Sequence, residues 1–243
     1  MSPLENLGVI LGLCAILSLL AFRFKLLTLS GSIAAFAVGV IIGWFGSISW
    51  LLVLIVFTLL GFAVTRYKLK AKIDSGLQEG RRGERTYRNV LANSLVPAAI
   101  AIISWLAGTQ ADFTASLVYL SAISVAAADT TASELGILSP NAFLITTFER
   151  VRPGTDGAVS GFGTLAAAVA SAFASLLGWL ILLPDRTVDI IIFVPMLMGF
   201  LGCMVDSLVG ATLERKQRVS KLGNNIISMA VGSLLAWIII LLV

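Results

Sequence analysis

Apolar stretches long enough to cross a bilayer recur along this whole chain and leave room for few architectures other than a helix bundle. A spanning helix needs about 20 largely apolar residues, because the hydrocarbon core is roughly 30 Å thick. Runs of that kind occupy Leu7–Phe22, Leu26–Phe45, Ile48–Thr65, Val90–Gly108, Thr114–Ala128, Ala158–Leu183, Val188–Val205 and Ile226–Val243. The fifth is short and must borrow the polar residues after Ala128 to cross. The sixth is long and is expected to tilt or to begin before the interface. With 58% hydrophobic and 12% charged residues and a mean hydropathy of +0.99, a water-soluble domain would lack the polar surface to cover itself. The expected fold is all-α, a polytopic bundle of about eight spans forming a single membrane domain over residues 1–243.

The basic residues set the expected orientation. Arg23 and Lys25 fall in the first gap between spans. Arg66, Lys68, Lys70, Lys72, Arg81, Arg82, Arg85 and Arg88 fall in the third. Arg150 and Arg152 fall in the fifth, and Arg215, Lys216, Arg218 and Lys221 in the seventh. All of the 17 Lys and Arg except Arg186 therefore share one side of an eight-span bundle. The positive-inside rule makes that side cytoplasmic and places both termini outside. It puts the basic loop 66–88 and the glycine-rich loop 139–164 in the cytoplasm. A net charge of +4 concentrated beside anionic lipid needs no nucleic-acid partner to explain it. No basic region precedes the first span and no small-residue cleavage site follows it, so it reads as a span rather than a cleaved signal.

Other absences narrow the chemistry. The chain has no histidine, which removes His-ligated metals and Ser-His-Asp catalysis. Its two cysteines, Cys14 and Cys203, fall inside spans and read as packing residues. Carboxylates remain as the strong ligands.

Four segments on the basic side are too polar, too glycine-rich or too deep to be plain connectors. In Gly76–Asn93, Arg85, Asn89 and Asn93 are spaced i, i+4, i+8 and would form one polar stripe on a helix entering the membrane; Arg81 and Arg82 precede it. In Ala126–Pro140, Asp129 and Glu134 follow an alanine-rich helix that offers no shelter from lipid, which makes them functional candidates as ion-path or cation-binding groups. Five residues apart on a regular helix, they diverge by about 140° and share one cation only if the helix bends or breaks. In Leu144–Thr164, Gly154, Gly157, Gly161 and Gly163 alternate with Thr155, Ser160 and Thr164, after Thr146 and Thr147. Such a glycine-hydroxyl loop entering a helix suits phosphate, although no Walker A pattern is present. In Gly202–Asn225, Asp206 and Ser207 lie near the end of the seventh span, and Asn224 and Asn225 open the eighth. Three carboxylates, several arginines and a glycine loop on one face suit a metal-bound polyphosphate.

These segments resemble an integral-membrane family that includes the plant and cyanobacterial phytyl-phosphate kinases, itself distantly similar to the CTP-using dolichol and phytol kinases. The resemblance is carried by LTLSGSIAAFAVG at Leu27–Gly39, RNVLANS at Arg88–Ser94, ADTTASELG at Ala128–Gly136, LITTFERVRPGTDGAVSGFGT at Leu144–Thr164, VDSLVGATLER at Val205–Arg215 and the Asn224-Asn225 pair. It departs at Asp156 and Ala158, where the family has a small hydroxyl residue and a glycine. The resemblance implies phosphorylation of an isoprenoid monophosphate to the diphosphate by a nucleoside triphosphate, CTP for preference, with Mg²⁺. Asp129, Glu134 and Asp206 would be the catalytic metal ligands. Arg81, Arg82, Arg85, Asn89, Asn93, Thr146, Thr147, Gly154, Thr155, Gly157, Ser160, Thr164, Ser207, Asn224 and Asn225 would bind substrate and nucleotide. A lipid-phosphate cytidylyltransferase would use a similar metal site. A flippase or transporter would also bury polar residues, but no internal repeat of the kind such proteins carry is evident.

The charge asymmetry generates a topology test. Single cysteines replacing Gln78 or Gln217, in a background without Cys14 and Cys203, should react with an impermeant thiol reagent only from the cytoplasmic side. A cysteine replacing Gln110 should react only from the opposite side. Labelling of positions 78 and 110 from one side would contradict the eight-span arrangement.

Overall fold

The computed structural model describes residues 3–80 and 83–242. Among them, eight helical stretches are long and apolar enough to span a membrane. The helices are α1 (Pro3–Arg23), α2 (Leu29–Ile41), α3 (Ile48–Arg66), the short α4 (Leu69–Asp74), α5 (Tyr87–Leu106), α6 (Phe113–Gly136), α7 (Gly161–Leu182), α8 (Phe193–Val209) and α9 (Lys221–Leu242). Single π-helical turns extend α2 over Ile42–Gly46 and α8 over Gly210–Glu214.

The bundle is built around α6. Of its membrane window 83% is buried, against 17–39% for the other spans, and it packs against α3, α5, α7, α8 and α9. Its sequence explains this position. Alanines and serines on every side of the helix let neighbouring backbones approach closely, which is how helices associate where lipid removes the hydrophobic drive. Two of the polar groups thereby buried find partners on neighbouring helices. The Tyr119 hydroxyl donates to the Trp50 carbonyl at 2.7 Å while the two rings stack with centroids 4.2 Å apart. Ser124 and Ser175 share a hydrogen bond of 2.9 Å. At the periphery, α1 packs chiefly on α2 and exposes Ile16 and Leu19.

The fifth span borrows the polar residues after Ala128, as expected; α6 is one unbroken helix of 24 residues, so Asp129 and Glu134 ride on a regular membrane helix. Other span boundaries differ from the sequence expectation. The sixth begins at Gly161, because Ala158–Val159 is a strand. The seventh continues through its π turn to Glu214. Hydropathy understates the end of the seventh span because polar residues occupy its last turns, and overstates the start of the sixth because the apolar Ala158–Val159 pair is a strand.

The segment between α6 and α7 is ordered by a three-stranded antiparallel sheet in the order β2-β1-β3, from Ala142–Leu144 (β1), Arg150–Val151 (β2) and Ala158–Val159 (β3). Phe143 pairs with Arg150 on one side and with Val159 on the other. Ala142 and Leu144 are buried while Phe143 between them is exposed, the alternation expected of a strand with one covered face.

Close approach to α6 is a packing requirement that can be tested. A Cβ on Gly199 of α8 would stand 2.8 Å from the Ser124 Cβ and 3.0 Å from the Ser124 carbonyl carbon. Gly199→Val should therefore destabilise the bundle by about 1–3 kcal/mol, read as a lower melting temperature in detergent. The same substitution at Gly12, whose Cβ meets nothing within 4 Å, should cost far less.

Candidate functional site

The polar residues converge where α5, α6, α8 and α9 meet, about two turns inside the basic face. Asp129 stands seven residues before the end of α6, roughly 10 Å along the helix. Its carboxyl comes within hydrogen-bonding reach of Asp206 on α8. The Asn225 amide of α9 donates to Asp129 at 3.3 Å and to the Asn93 side-chain oxygen of α5 at 3.2 Å. Ser228, one turn further along α9, donates to Asp206 at 3.4 Å. Asn224 donates to the Asp206 backbone carbonyl and to the Glu214 carboxylate, each at 3.0 Å, and its own side-chain oxygen is buried without a partner among the described residues.

Glu134 does not join this pair, which corrects the expectation of a three-carboxylate metal set. On an unbroken helix it points elsewhere, and its two oxygens accept from Thr65 and from Lys72, both at 2.7 Å. Lys72 is 1% exposed and also donates to the carbonyls of Val64 and Thr65, which end α3. All three ammonium protons are thus satisfied. Arg85 stands 3.6 Å from Glu134 and donates to the Thr65 hydroxyl at 3.0 Å, while its Nε is buried with no partner among the described residues. No group of three Asp, Glu or Cys side chains close enough to hold a metal occurs among those residues.

The expected Arg85-Asn89-Asn93 stripe is also modified. Arg85 precedes α5 and is held by backbone hydrogen bonds to the α1–α2 corner, from Thr28 N–H to Arg85 O and from Arg85 N–H to Leu26 O, both 3.0 Å. Gly31 makes this possible, since a Cβ there would lie 2.6 Å from the Arg85 carbonyl oxygen. Asn89 closes a capping box with Thr86 at the start of α5 and donates to Glu79 at 2.9 Å. Arg85, Asn89 and Asn93 nevertheless line one cleft together.

In the glycine loop, Gly154, Thr155, Gly157, Ser160 and Thr164 line a cavity of about 360 Å³ that also reaches Asp129, Asp206, Ser207 and Asn224. Ser160 caps α7 by accepting from the Gly163 N–H at 3.1 Å and donates to the Gly136 carbonyl at 3.4 Å, joining the ends of α6 and α7. The Thr155 hydroxyl donates to the Arg152 carbonyl at 2.7 Å. Gly157 has φ +74°, and a Cβ there would collide with the backbone of Ala211 in the π turn after α8, so the loop docks through its glycine. Thr146 and Thr147 sit exposed in the turn between β1 and β2 and do not line this cavity, contrary to expectation. Arg81 and Arg82 lie outside the described residues.

A second polar cleft of about 460 Å³ adjoins the first and contains Arg85, Asn89, Asn93, Asp129, Glu134 and Asn225. Lys221 and Glu79, neither singled out from the sequence, line both cavities and approach each other to 3.5 Å. A lysine in the first turn of α9 opposes the helix dipole, and that misplacement was its available signal. Burial pushes the Glu79 carboxyl up, but Lys221, the Asn89 amide and Arg85 outweigh it and hold the group below its ordinary value. Its hold on Lys221 is therefore present above the ordinary carboxylate range and is lost as pH falls through the lowered folded value.

Two facing carboxylates with no ion-pair partner within 4 Å among the described residues fit a divalent cation. Mg²⁺ commonly takes one or two carboxylates and completes its shell with water and substrate phosphates. Glu134, neutralised by Lys72, does not fit that role. Asp129→Asn and Asp206→Asn should each abolish Mn²⁺ binding to the purified protein, measured by electron paramagnetic resonance. Glu134→Gln should leave it within a few-fold but destabilise the protein by about 3 kcal/mol, because Lys72 is then buried unpaired. Adding Lys72→Met should recover part of that loss.

Comparison with known proteins places this geometry in a family. No solved structure matches the chain. An uncharacterized membrane protein of Methanocaldococcus jannaschii is 35% identical over 98% of this chain and 96% of its own length. An uncharacterized membrane protein of Synechocystis is 38% identical over 79% of this chain and 74% of its own length. The chloroplastic protein VTE6 of Arabidopsis thaliana is 32% identical over 86% of this chain and 64% of its own length. The model of the integral membrane protein family DUF92 matches residues 12–233. The chain belongs to the DUF92 family of integral membrane proteins.

Proposed function

We propose that this protein is a kinase that transfers the terminal phosphate of a nucleoside triphosphate, CTP for preference, to a membrane-resident isoprenoid monophosphate. The observation that carries the reading is the juxtaposition at Asp129. A glycine-lined cavity suited to a polyphosphate, which holds both Asp129 and Asp206, meets at Asp129 a second cleft in which Arg85, Arg88 and Lys221 stand beside Glu79 and Glu134. The motif resemblance to phytyl-phosphate kinases and the similarity to VTE6 support the substrate class. On the positive-inside rule the basic face is cytoplasmic, where nucleotide is available.

Phosphoryl transfer asks a protein chiefly for positioning and charge neutralisation. Asp129 and Asp206 would hold Mg²⁺, which when bound neutralises charge on the phosphate oxygens. Asn225 and Asn93 orient Asp129, and Ser228 orients Asp206. Arg85 and Lys221 present positive charge to the acceptor and to the transferred group. An acceptor monophosphate has a second pKa near 6 and is largely ionised at neutral pH, so no strong base is required and the absence of histidine is no obstacle. An alcohol acceptor would need one.

The test supplies purified protein in lipid with Mg²⁺, labelled CTP, UTP, ATP or GTP, and geranyl, farnesyl, geranylgeranyl or phytyl monophosphate. Label should appear in an extractable lipid diphosphate, and Asp129→Asn or Asp206→Asn should lower turnover by at least ~100-fold. Free prenols should be poor acceptors. A CDP-linked lipid product would instead establish the cytidylyltransferase. No transfer to any prenyl substrate, in protein shown to bind Mg²⁺-nucleotide, would refute the kinase.

A further inference from the structure

Beyond the polar cavities, the bundle contains an apolar cleft of about 310 Å³ between α1, α2, α3 and the start of α5. It runs along α2 from Leu27 to Gly39, along α1 from Phe24 to Cys14 and along α3 from Phe62 to Leu51. Ten to twelve helical residues correspond to about 15–18 Å, close to half the hydrocarbon thickness. One end is polar and the other is closed. At the polar end stand Arg85, Asn89 and Asn93, the same three residues that line the second polar cleft beside Asp129. At the closed end Gly39 lies against Cys14, a Cβ on the glycine falling 2.8 Å from the sulfur. The side walls include Leu20, Phe24 and Leu59, which are 43%, 64% and 56% exposed on the lipid-facing surface.

We infer that this cleft seats the single isoprenoid chain of an anionic lipid that enters sideways from the bilayer, and that the Cys14–Gly39 contact limits the chain length it accepts. Charge complementarity selects the head. Arg85 is the cation at the junction, its Nε is buried without a partner, and Glu134 is already neutralised by Lys72, so Arg85 retains charge for an incoming phosphate. Cleft length selects the tail, because one chain reaching from the interface to mid-membrane fills it. The choice of an isoprenoid over an acyl chain rests on the proposed function; the cleft itself does not.

Two measurements separate the inference from that reading. The first is photo-crosslinking of wild-type protein in lipid with benzophenone-tagged geranyl monophosphate, without nucleotide. Adducts should map to α1, α2, α3 or the start of α5 in the cleft, and geranylgeranyl monophosphate should compete while palmitoyl lysophosphatidate should not. The second compares kinetics of Cys14→Phe, which fills the closed end, with Leu19→Trp, which alters an exposed face of α1 outside the cleft. Cys14→Phe should raise KM for geranylgeranyl monophosphate at least about tenfold, the loss expected when two methylenes are kept from burial. KM for geranyl monophosphate and for nucleotide should stay unchanged, and Leu19→Trp should move none of them. Adducts outside these helices overturn the cleft whether or not the protein phosphorylates prenyl phosphates. Equal effects of Cys14→Phe on long and short chains overturn the length limit. Effective competition by lysophosphatidate overturns the isoprenoid assignment. Cleft adducts together with absent phosphoryl transfer would sustain the binding site and refute only the kinase.

Discussion

A carboxylate two turns inside a membrane helix must be answered by a neighbouring side chain, because lipid offers it nothing. This constraint organises the basic half of the bundle. Glu134 is answered by Lys72, which reaches in from the short helix α4 and at the same time satisfies the carbonyls that end α3. That arrangement fixes the third inter-span segment against the bundle and places Thr65 and Arg85 beside α6. Asp129 and Asp206 have no ion-pair partner within 4 Å among the described residues and are answered at close range by amides, a hydroxyl and each other. One buried carboxylate is therefore settled within the fold, and a pair is left that the proposed cation would complete. The contrast separates a structural charge from a functional one more clearly than depth does.

Helix α6 makes this contrast possible because it carries both kinds of group on one uninterrupted turn sequence. Asp129 and Glu134 diverge by about 140° on a regular helix, so one faces α8 and α9 and the other faces α3 and α4. The small residues of the preceding turns let four helices crowd close enough to reach both. Had α6 broken after Ala128, the two carboxylates would have been free to share a cation and Lys72 would have lacked its partner.

Much of this was legible in the sequence, and the remainder failed for identifiable reasons. Span number and the clustering of basic residues follow directly from hydropathy and charge. Asp129, Asp206, Asn93, Asn224 and Asn225 were recognisable because polar side chains in apolar helices have few innocent explanations, and the fold brings them together. The Glu134–Lys72 pair joins residues 62 positions apart, and no local pattern announces such a contact. Arg85 was placed on the α5 stripe by its spacing, although Thr86 caps the helix after it. Thr146 and Thr147 were grouped with the glycine loop by proximity in sequence, but the strand pairing of Phe143 with Arg150 turns them outward. Lys221 was counted only as one more basic residue of the loop.

Lys221 is the site residue whose placement runs most against helix electrostatics. At the first turn of α9 it meets the positive end of the helix dipole, where an anion is favoured and a cation is not. Part of the cost is offset by Glu79, and part by the field of Asp129. A structural ion pair could have been built one turn earlier in the loop without opposing the dipole. At its actual position the ammonium and the positive end of the helix dipole add their potentials in the space where the two polar cavities meet. Such a concentration is unfavourable in an empty site and favourable around a multiply charged anion. The same would hold for Asp129 and Asp206 with the proposed divalent cation. The site thus sets a carboxylate pair on α6 and α8 beside the ion-paired Arg85 and Lys221, and the proposed cation-bound polyphosphate is a ligand class that would engage both.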